Sequence, residues 1–515
     1  MTAAPDPNRA AAAASRRRYA ALFAVGAVGG LGFAPFHLWP LAFLAVAVLC
    51  AVVESGSEVG ADRKHVFLAA WFWGFGNFLA GQYWIAHAFN FQANLPAFFG
   101  WLAVVGLSMF MALYPAVAAA IAARFGKSAA ARALAFAGAW MLTEWLRGYL
   151  MAGFGWNPLG IVTVPMGWTV QAASLVGALA LSGIVILTGY GLLMLYRRRW
   201  KPSAALSTPA LLATAYGAAT LTAPVFSDTR LDIVQANIPQ DQKYGPGAFY
   251  RNLGRYIALS PPPTDEPRLL IWPEAAIPRT LDDRPELRRE LAVLLIGDND
   301  LFLTGALKLI PGQDRDDPWA GLNSLYAIGP AGDIRARYDK QRLVPYGEYL
   351  PARPLLEAVG LSSFAPSNID TLAGTGPRVL PLDPFAAVGA MICYETVYPE
   401  QASGAFRPGW LLNVSNDAWF SDGGAAMHLD HARLRSIEQG LPMARATPTG
   451  YSALIGPQGR VLERLDRHVA GTLRVRLPEP LPETLFARTG SALPLGLAVL
   501  MIGGALLIPR RGLAA

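Results

Sequence analysis

Ala387-Val388-Gly389-Ala390-Met391-Ile392-Cys393-Tyr394-Glu395 reads as a short buried strand that stops at a thiol. Six small or apolar residues run without a charge, and chemistry-bearing side chains follow at once. Two other segments share this arrangement. Leu269-Leu270-Ile271-Trp272-Pro273-Glu274 ends in a carboxylate, and Leu411-Leu412-Asn413-Val414 leads into Ser415-Asn416-Asp417-Ala418-Trp419-Phe420. A fourth segment, Tyr338-Asp339-Lys340-Gln341-Arg342-Leu343-Val344-Pro345-Tyr346-Gly347-Glu348, carries a lysine and another carboxylate. Further β-rich runs lie at 231–235 and 301–304, with helix-like stretches at 283–296 and 428–440. Strands alternating with helices predict a sheet covered by helices. The polar residues fall just past the strands, where α/β folds place their chemistry.

Around this domain the chain has a different character. Of 515 residues, 53% are hydrophobic and only 15% charged, against a norm near 25% charged for soluble proteins. Apolar runs fall at 19–34, 38–54, 66–89, 97–123, 131–147, 168–196, 203–223 and 491–508. A helix needs about 20 residues to cross the hydrocarbon layer, so we expect about eight membrane spans. The first two are short, and the seventh, rich in Ala and Thr, is the weakest. The expected organisation is a disordered basic N-terminus at 1–18, a seven-helix membrane domain at 19–225, a catalytic domain at 226–489, and a final membrane helix with a short tail at 490–515.

Charge gives the orientation. Residues 226–489 hold 27 Lys+Arg and 31 Asp+Glu, whereas the rest of the chain holds 16 basic and only 5 acidic residues. The basic surplus sits between the apolar runs: Arg63 and Lys64, then Arg124, Lys127 and Arg132, then Arg197, Arg198, Arg199 and Lys201, and finally Arg510 and Arg511. Alternate loops near 35, 90–96 and 148–167 carry no Lys or Arg. Basic loops face the cytoplasm, which puts residues 226–489 outside it. This distribution argues against a nucleic-acid partner, despite a net charge of +7.

Taken alone, Cys393 has two readings. A lone cysteine is commonly a small buried apolar residue. At a strand end it is equally placed to be a nucleophile, provided a base or cation raises its thiolate fraction. Glu274 and Lys340 can supply these if the fold brings three strand ends together. Cys50, inside an apolar run, is not expected to meet Cys393, so no disulfide framework is expected. His428 and His431 have a spacing seen in metal sites, but no ligand cluster accompanies them, and no metal or cofactor is expected. Glu144 and Arg147, three apart on one helical face near an outer helix end, can pair. They either orient a head group or serve as a structural pair. Phe89, Phe91, Phe154 and Trp156, in outside loops, either rim a lipid opening or act as interfacial anchors.

Trp272-Pro273-Glu274, Lys340 with Leu343-Val344-Pro345-Tyr346-Gly347-Glu348, Cys393-Tyr394-Glu395 and Asn416-Asp417-Ala418-Trp419-Phe420, in that order, resemble the nitrilase superfamily. With seven spans before them and one after, and with Glu144-Trp145-Leu146-Arg147-Gly148 in the fifth span, the chain resembles the apolipoprotein N-acyltransferase family over nearly its whole length. The resemblance implies a nitrilase-like αββα sandwich in a bacterial inner membrane protein, with the catalytic domain on the periplasmic side. It also implies a reaction. An acyl chain passes from the sn-1 position of a phospholipid, typically phosphatidylethanolamine, to Cys393, and then to the α-amine of a diacylglyceryl-cysteine on an apolipoprotein. Cys393 would be the nucleophile, Glu274 the general base and Lys340 the oxyanion stabiliser. Glu348, Tyr394 and Glu395 would support the site, with Tyr244 and Trp419 near the substrate. Two departures stand out: Tyr244 replaces a frequent Trp, and Gln341-Arg342 replaces a more usual Arg-His. The competing readings are a membrane-tethered amidase or thioesterase, with water as acceptor, and a catalytically dead scaffold.

Overall fold

The parity of buried side chains shows how the catalytic domain is layered. In β1 (Phe226–Gln235), Leu231 and Ile233 point to one core while Val234 points to another. In β2 (Arg268–Ile271), Leu269 and Ile271 join the first core and Leu270 the second. Successive residues of a strand face opposite sides, so a strand buried on both faces must carry apolar residues throughout.

This computed structural model describes residues 7–56, 63–91, 96–150, 153–310, 320–349, 351, 354, 371–376, 378–402, 404 and 406–509. The chain divides into two compact units. One comprises residues 1–86, 97–220 and 491–515, the other residues 87–96 and 221–490.

The second unit holds two sheets. β3 (Ile277–Thr280), β4 (Leu301–Ile310), β5 (Ala320–Ile328) and β6 (Ile334–Asp339) complete the first, together with β13 (Gly471–Pro478), in the order β13-β1-β2-β4-β5-β6 with β3 on β4. The second sheet has β7 (Val379–Leu382), β8 (Phe385–Ile392), β9 (Trp410–Val414), β10 (Met443–Ala446), β11 (Ala453–Ile455) and β12 (Val461–Arg464), in the order β12-β11-β10-β9-β8-β7. Val388, Ala390 and Ile392 of β8 and Trp410, Leu412 and Val414 of β9 meet Leu269, Ile271, Leu301 and Leu303 in one core between the sheets. The outer face of the first sheet buries Leu270, Trp272 and Phe302 under α9 (Ala248–Leu259) and α10 (Pro285–Leu295) through Tyr256, Leu291 and Leu295. The outer face of the second buries Met391, Leu411 and Met443 under α11 (Asp422–Gln439) through Leu429 and Ala432. The result is the helix–sheet–sheet–helix layering that the resemblance to the nitrilase superfamily implies. Each sheet has a parallel centre: β1, β2 and β4 in the first, and β8, β9 and β10 in the second.

The first unit is helical. Its helices are α1 (Pro7–Gly30), α2 (Trp39–Ser55), α3 (Arg63–Gln82), α4 (Phe98–Met111), α5 (Leu113–Phe125), α6 (Ala129–Tyr149), α7 (Ala173–Tyr196), α8 (Trp200–Thr220) and a last helix, Ala492–Leu507. Among the described residues, two helical stretches are long and apolar enough to cross a membrane, Phe98–Phe125 and Thr169–Tyr196, each of 28 residues. Trp39–Ser55 and Ala492–Leu507 are apolar but shorter. Helices cross closely where side chains vanish. A Cβ on Gly26 would lie 1.9 Å from the carbonyl oxygen of Trp73, and one on Gly76 would lie 2.0 Å from that of Phe23. Glycine at both positions lets α1 and α3 touch backbone to backbone, the small-residue contact favoured where lipid is the alternative solvent.

Three expectations are corrected in this unit. The N-terminal segment is helical from Pro7 rather than disordered to residue 18. Its alanine run, at 10–14, is the best of helix formers; residues 1–6 lie outside the described residues, as do Arg510 and Arg511. Arg132 is not a loop cation. The Ser128 hydroxyl caps α6 by accepting from the Ala131 N–H (3.3 Å), so Arg132 falls inside the helix. There its guanidinium is buried against Glu54 in a two-pronged pair (2.8 and 2.9 Å). Trp156 does not rim an opening: it is 4% exposed and packs edge-on to Trp84.

Candidate active site

The chemistry gathers at the carboxyl ends of β2, β6, β8 and β9. Past β2, Glu274 is buried, 6% exposed. Its Oε1 accepts from the Asn323 side-chain amide (2.6 Å) and its Oε2 from the Asn416 backbone N–H (2.5 Å). The chain turns sharply here, with Ala275 at φ 48°. The turn lies directly on β4, where a Cβ on Gly305 would come within 2.5 Å of the Ala275 nitrogen and 2.7 Å of the Glu274 Cα. Only glycine leaves that space.

Past β6, Lys340 is 1% exposed. Its Nζ lies 2.8 Å from Glu348 Oε1 and 3.8 Å from Glu274 Oε1. Burial works against the ammonium, but Glu348 and then Glu274 and Cys393 outweigh it and hold Lys340 well above its ordinary range. Glu348 is held in turn by the Val344 N–H (2.7 Å) on its Oε2.

Past β8, Cys393 sits at φ 51°. This left-handed conformation is costly for a residue with a Cβ, and surrounding bonds must hold it. Two do. The Glu395 carboxylate accepts the Ile392 N–H (2.7 Å), and His428 Nε2 lies 3.0 Å from the Cys393 carbonyl oxygen. Burial and the adjacent Arg445 lower the His428 pKa, against Asp417. His428 Nδ1 lies 3.0 Å from both Asp417 Oδ1 and Arg445 Nη2. Asp417, fully buried, accepts from the Ser415 hydroxyl (2.7 Å) and from Arg445 (2.5 Å). His428 thus belongs to a buried network behind the thiol.

Burial first, and then the charge of Glu274, push the Cys393 thiol up to about 12; Lys340 and the Ser415 hydroxyl pull the other way without prevailing. The resting sulfur is therefore a neutral thiol. A neutral thiol attacks a carbonyl only when a base takes its proton, and Glu274, ahead of Asp417, is the carboxylate whose charge the sulfur feels most.

Glu395 joins two of the strand ends. It is fully buried, and its Oε1 accepts from Tyr338 Oη (2.7 Å), the Gln341 N–H (2.7 Å) and the Arg342 N–H (3.0 Å). The turn after Lys340 and the turn at Cys393 are thus fastened to one carboxylate. Tyr394 bonds Tyr398 through their hydroxyls (2.6 Å). The two departures at 341 and 342 are both occupied. The Gln341 amide accepts from Arg378 (2.9 Å) and donates to the Gly376 carbonyl (2.6 Å), and the Arg342 guanidinium lies 3.7 Å from the Tyr398 ring centroid. Tyr244 is 59% exposed. Trp419 packs edge-on to Phe91 at 5.6 Å. Asn323, Lys243, His428 and Arg445 were not anticipated as contributors. Their signal in the sequence was slight: a polar residue inside an otherwise apolar strand, or a charge in a segment with no surface pattern.

Glu144 and Arg147 lie in the helical unit. Glu144 accepts from Trp140 Nε1 (3.1 Å), the Leu159 N–H (2.8 Å) and the Ser182 hydroxyl (2.5 Å). Arg147 donates to the carbonyls of Trp156 (2.5 Å) and Asn157 (3.2 Å). Both therefore brace the irregular segment after α6, and both line a small crevice with Tyr114, Thr143 and Asn157.

Residues 25–215 match the family model described as apolipoprotein N-acyltransferase N-terminal domain, and residues 266–480 match that described as carbon-nitrogen hydrolase. Among solved structures, an amidase from Nesterenkonia sp. is 18% identical, with a TM-score of 0.33 over 50% of this chain and 93% of that one. That likeness is too slight to carry weight beside the family models. The apolipoprotein N-acyltransferase of Rhodopseudomonas palustris is 35% identical over 96% of each chain, and that of Bradyrhizobium diazoefficiens 33% identical over 92% of this chain and 93% of its own. Since these alignments cover both the helical unit and the thiol-bearing sandwich, the chain is an enzyme of the apolipoprotein N-acyltransferase family.

Proposed function

We propose that the protein N-acylates the amino-terminal diacylglyceryl-cysteine of apolipoproteins, with a phospholipid as acyl donor and Cys393 as a temporary carrier. The observation that carries this reading is the buried cluster of Cys393, Glu274 and Lys340 at three strand ends, in a chain of this family.

Each step follows from the chemistry of the cluster. Glu274 takes the Cys393 proton as the sulfur attacks the ester carbonyl of the donor. The oxyanion that forms lies beside Lys340, and a fixed cation there is of the kind whose loss elsewhere costs about 2.7–4 kcal/mol. Collapse breaks the ester C–O bond. The leaving glycerol oxygen takes the proton from Glu274 and departs as a lysophospholipid. The acyl group remains on sulfur as a thioester. The acceptor's neutral α-amine then attacks, Glu274 takes its proton, and the C–S bond breaks to return the thiol. Two half-reactions through one covalent intermediate give ping-pong kinetics.

A helical unit of about eight membrane spans in the bacterial inner membrane, with the sandwich on the periplasmic side, suits both substrates. Their tails stay in lipid while their reacting groups reach the interface. Support comes from the apolar stretches Phe98–Phe125 and Thr169–Tyr196 and from the Lys and Arg of alternate loops.

Incubation of the purified protein with phosphatidylethanolamine and a diacylated lipopeptide tests the function. N-acylated peptide is expected, with an acyl adduct on Cys393 by mass spectrometry before peptide is added. Release of free fatty acid alone would assign hydrolysis instead, and loss of nothing in Cys393→Ser would exclude the thiol.

A further inference from the structure

A second lysine is buried in the thiol site. Lys243 follows β1 in a segment that opens Gln240-Asp241-Gln242, and it is 6% exposed. Its Nζ donates to the Glu274 carbonyl oxygen at 3.4 Å. The Asn416 side-chain amide, in the orientation that satisfies its surroundings, presents its oxygen to Lys243 Nζ and Trp419 Nε1, both at 3.2 Å. The backbone N–H of this same Asn416 holds Glu274 Oε2. One ammonium therefore bridges the two loops, past β2 and past β9, whose contact fixes the general base.

The charges around it point the same way. Two carboxylates, Glu274 and Glu348, share Lys340. With Lys340 as the one cation the resting cluster would carry an excess negative charge in a buried place, where an uncompensated charge is costly. Lys243 balances it, and its ammonium is coupled to Glu274 and to Cys393.

We propose that Lys243 is a positioning residue of the acyl-transfer site. It pins the Glu274 and Asn416 loops together, and it supplies the second positive charge that offsets the negative charge formed on the Cys393 sulfur and the tetrahedral oxyanion. This rests on the reading of Cys393 as the acyl carrier. Lys243 keeps its proton throughout, so Glu274 remains the proton-transferring group.

The titratable groups facing Lys243 are Glu274, from the loop after β2, and Cys393, at the end of β8; Lys340 and Glu348, on the β6 side, reach it through Glu274. Burial draws the ammonium down to about 8, against the pull of Glu274 and Cys393. Lys340 is held well above its ordinary range, and the thiol itself titrates near 12. An alkaline fall in acylation near pH 8 would therefore belong to Lys243.

The test is the rate of Cys393 acylation by phosphatidylethanolamine vesicles alone, followed by mass spectrometry across pH. Omitting the acceptor removes its own amine from the profile. The wild-type rate is expected to fall as pH rises through about 8. Lys243→Met is expected to lose about tenfold or more and to lack that limb, while Lys243→Arg, charged at every accessible pH, recovers most of the rate and also lacks it. A rate within about twofold of wild type in Lys243→Met, with the limb retained, overturns the proposal. So does a wild-type profile flat from about pH 7 to about pH 10, which decides the matter even if neither variant folds. A wild-type protein that never acylates at any pH would instead overturn the reading of Cys393 on which the proposal stands.

Discussion

Replacing Glu395 by glutamine should both destabilise the catalytic unit and slow its chemistry, although Glu395 is fully buried behind the thiol turn. Its carboxylate accepts four hydrogen bonds in a fully buried site, three on Oε1 and one on Oε2. An amide can offer only one oxygen. It would keep the crowded position and turn its NH2 toward the Ile392 N–H, so that donor meets donor. Leaving that buried N–H without an acceptor costs about 1–3 kcal/mol. The remaining three bonds become neutral, with roughly half the strength of bonds to a charged group. Burial raises the Glu395 pKa, although the four donors resist, so removing the charge returns part of this loss. A net cost of about 2–4 kcal/mol remains. At about 2–4 °C per kcal/mol for a domain of this size, the melting temperature of the detergent-purified protein should fall by roughly 4–16 °C. The bond lost is one of the two that hold Cys393 at φ 51°, so Cys393 acylation should also slow by about tenfold, the order expected when a reacting atom is slightly misplaced. Glu395→Ala should be worse on both counts. Unchanged melting and an unchanged acylation rate in Glu395→Gln would refute the claim that this carboxylate sets the nucleophile's turn.

Gly305→Ala should push the Glu274 turn away from β4, because the new Cβ would lie 2.5 Å from a backbone nitrogen; about 1–3 kcal/mol of stability and most of the activity should be lost, as thermal unfolding and lipopeptide acylation would read. Glu274→Gln removes the base, so acyl transfer should drop by about 10²–10⁴-fold; its new NH2 must face either the Asn323 amide or the Asn416 N–H, so the melting temperature should fall as well. Asp417→Asn leaves Arg445 buried without its counter-charge and should cost about 3–5 kcal/mol. Burial opposes the Asp417 charge, but Arg445 and then His428 hold the carboxyl well below its ordinary range. Its contribution is thus present above the unfolded carboxylate value and lost as pH falls toward the folded one. Wild type should lose stability on acidification below about pH 4 more steeply than Asp417→Asn, and equal slopes in acid titrations followed by fluorescence would count against the pair.

That the strands are covered on both faces was legible in the residues. Leu269-Leu270-Ile271 and Leu411-Leu412 are apolar at every position, and a strand apolar on both sides must be covered on both sides. That local rule predicts a sheet with helices outside, and the helix-like stretches at 283–296 and 428–440 appear as α10 and α11; the pairing of two sheets face to face was implied only by the resemblance of the motifs to the nitrilase superfamily. The positions of Glu274 and Cys393 just past strand ends were equally legible, because strand ends are local; the strand before Lys340 was not among the runs read from the residues. Tertiary structure alone decided which side chains converge. Lys243, Asn323 and Asn416 come from three separate segments and meet only around Glu274. No periodicity links residues so far apart in sequence, because hydrogen bonds and charge pairs act over a few ångströms of space. The left-handed turn at Cys393 was hidden for the same reason: a cysteine has no intrinsic preference for it, and Glu395 and His428 impose it from either side.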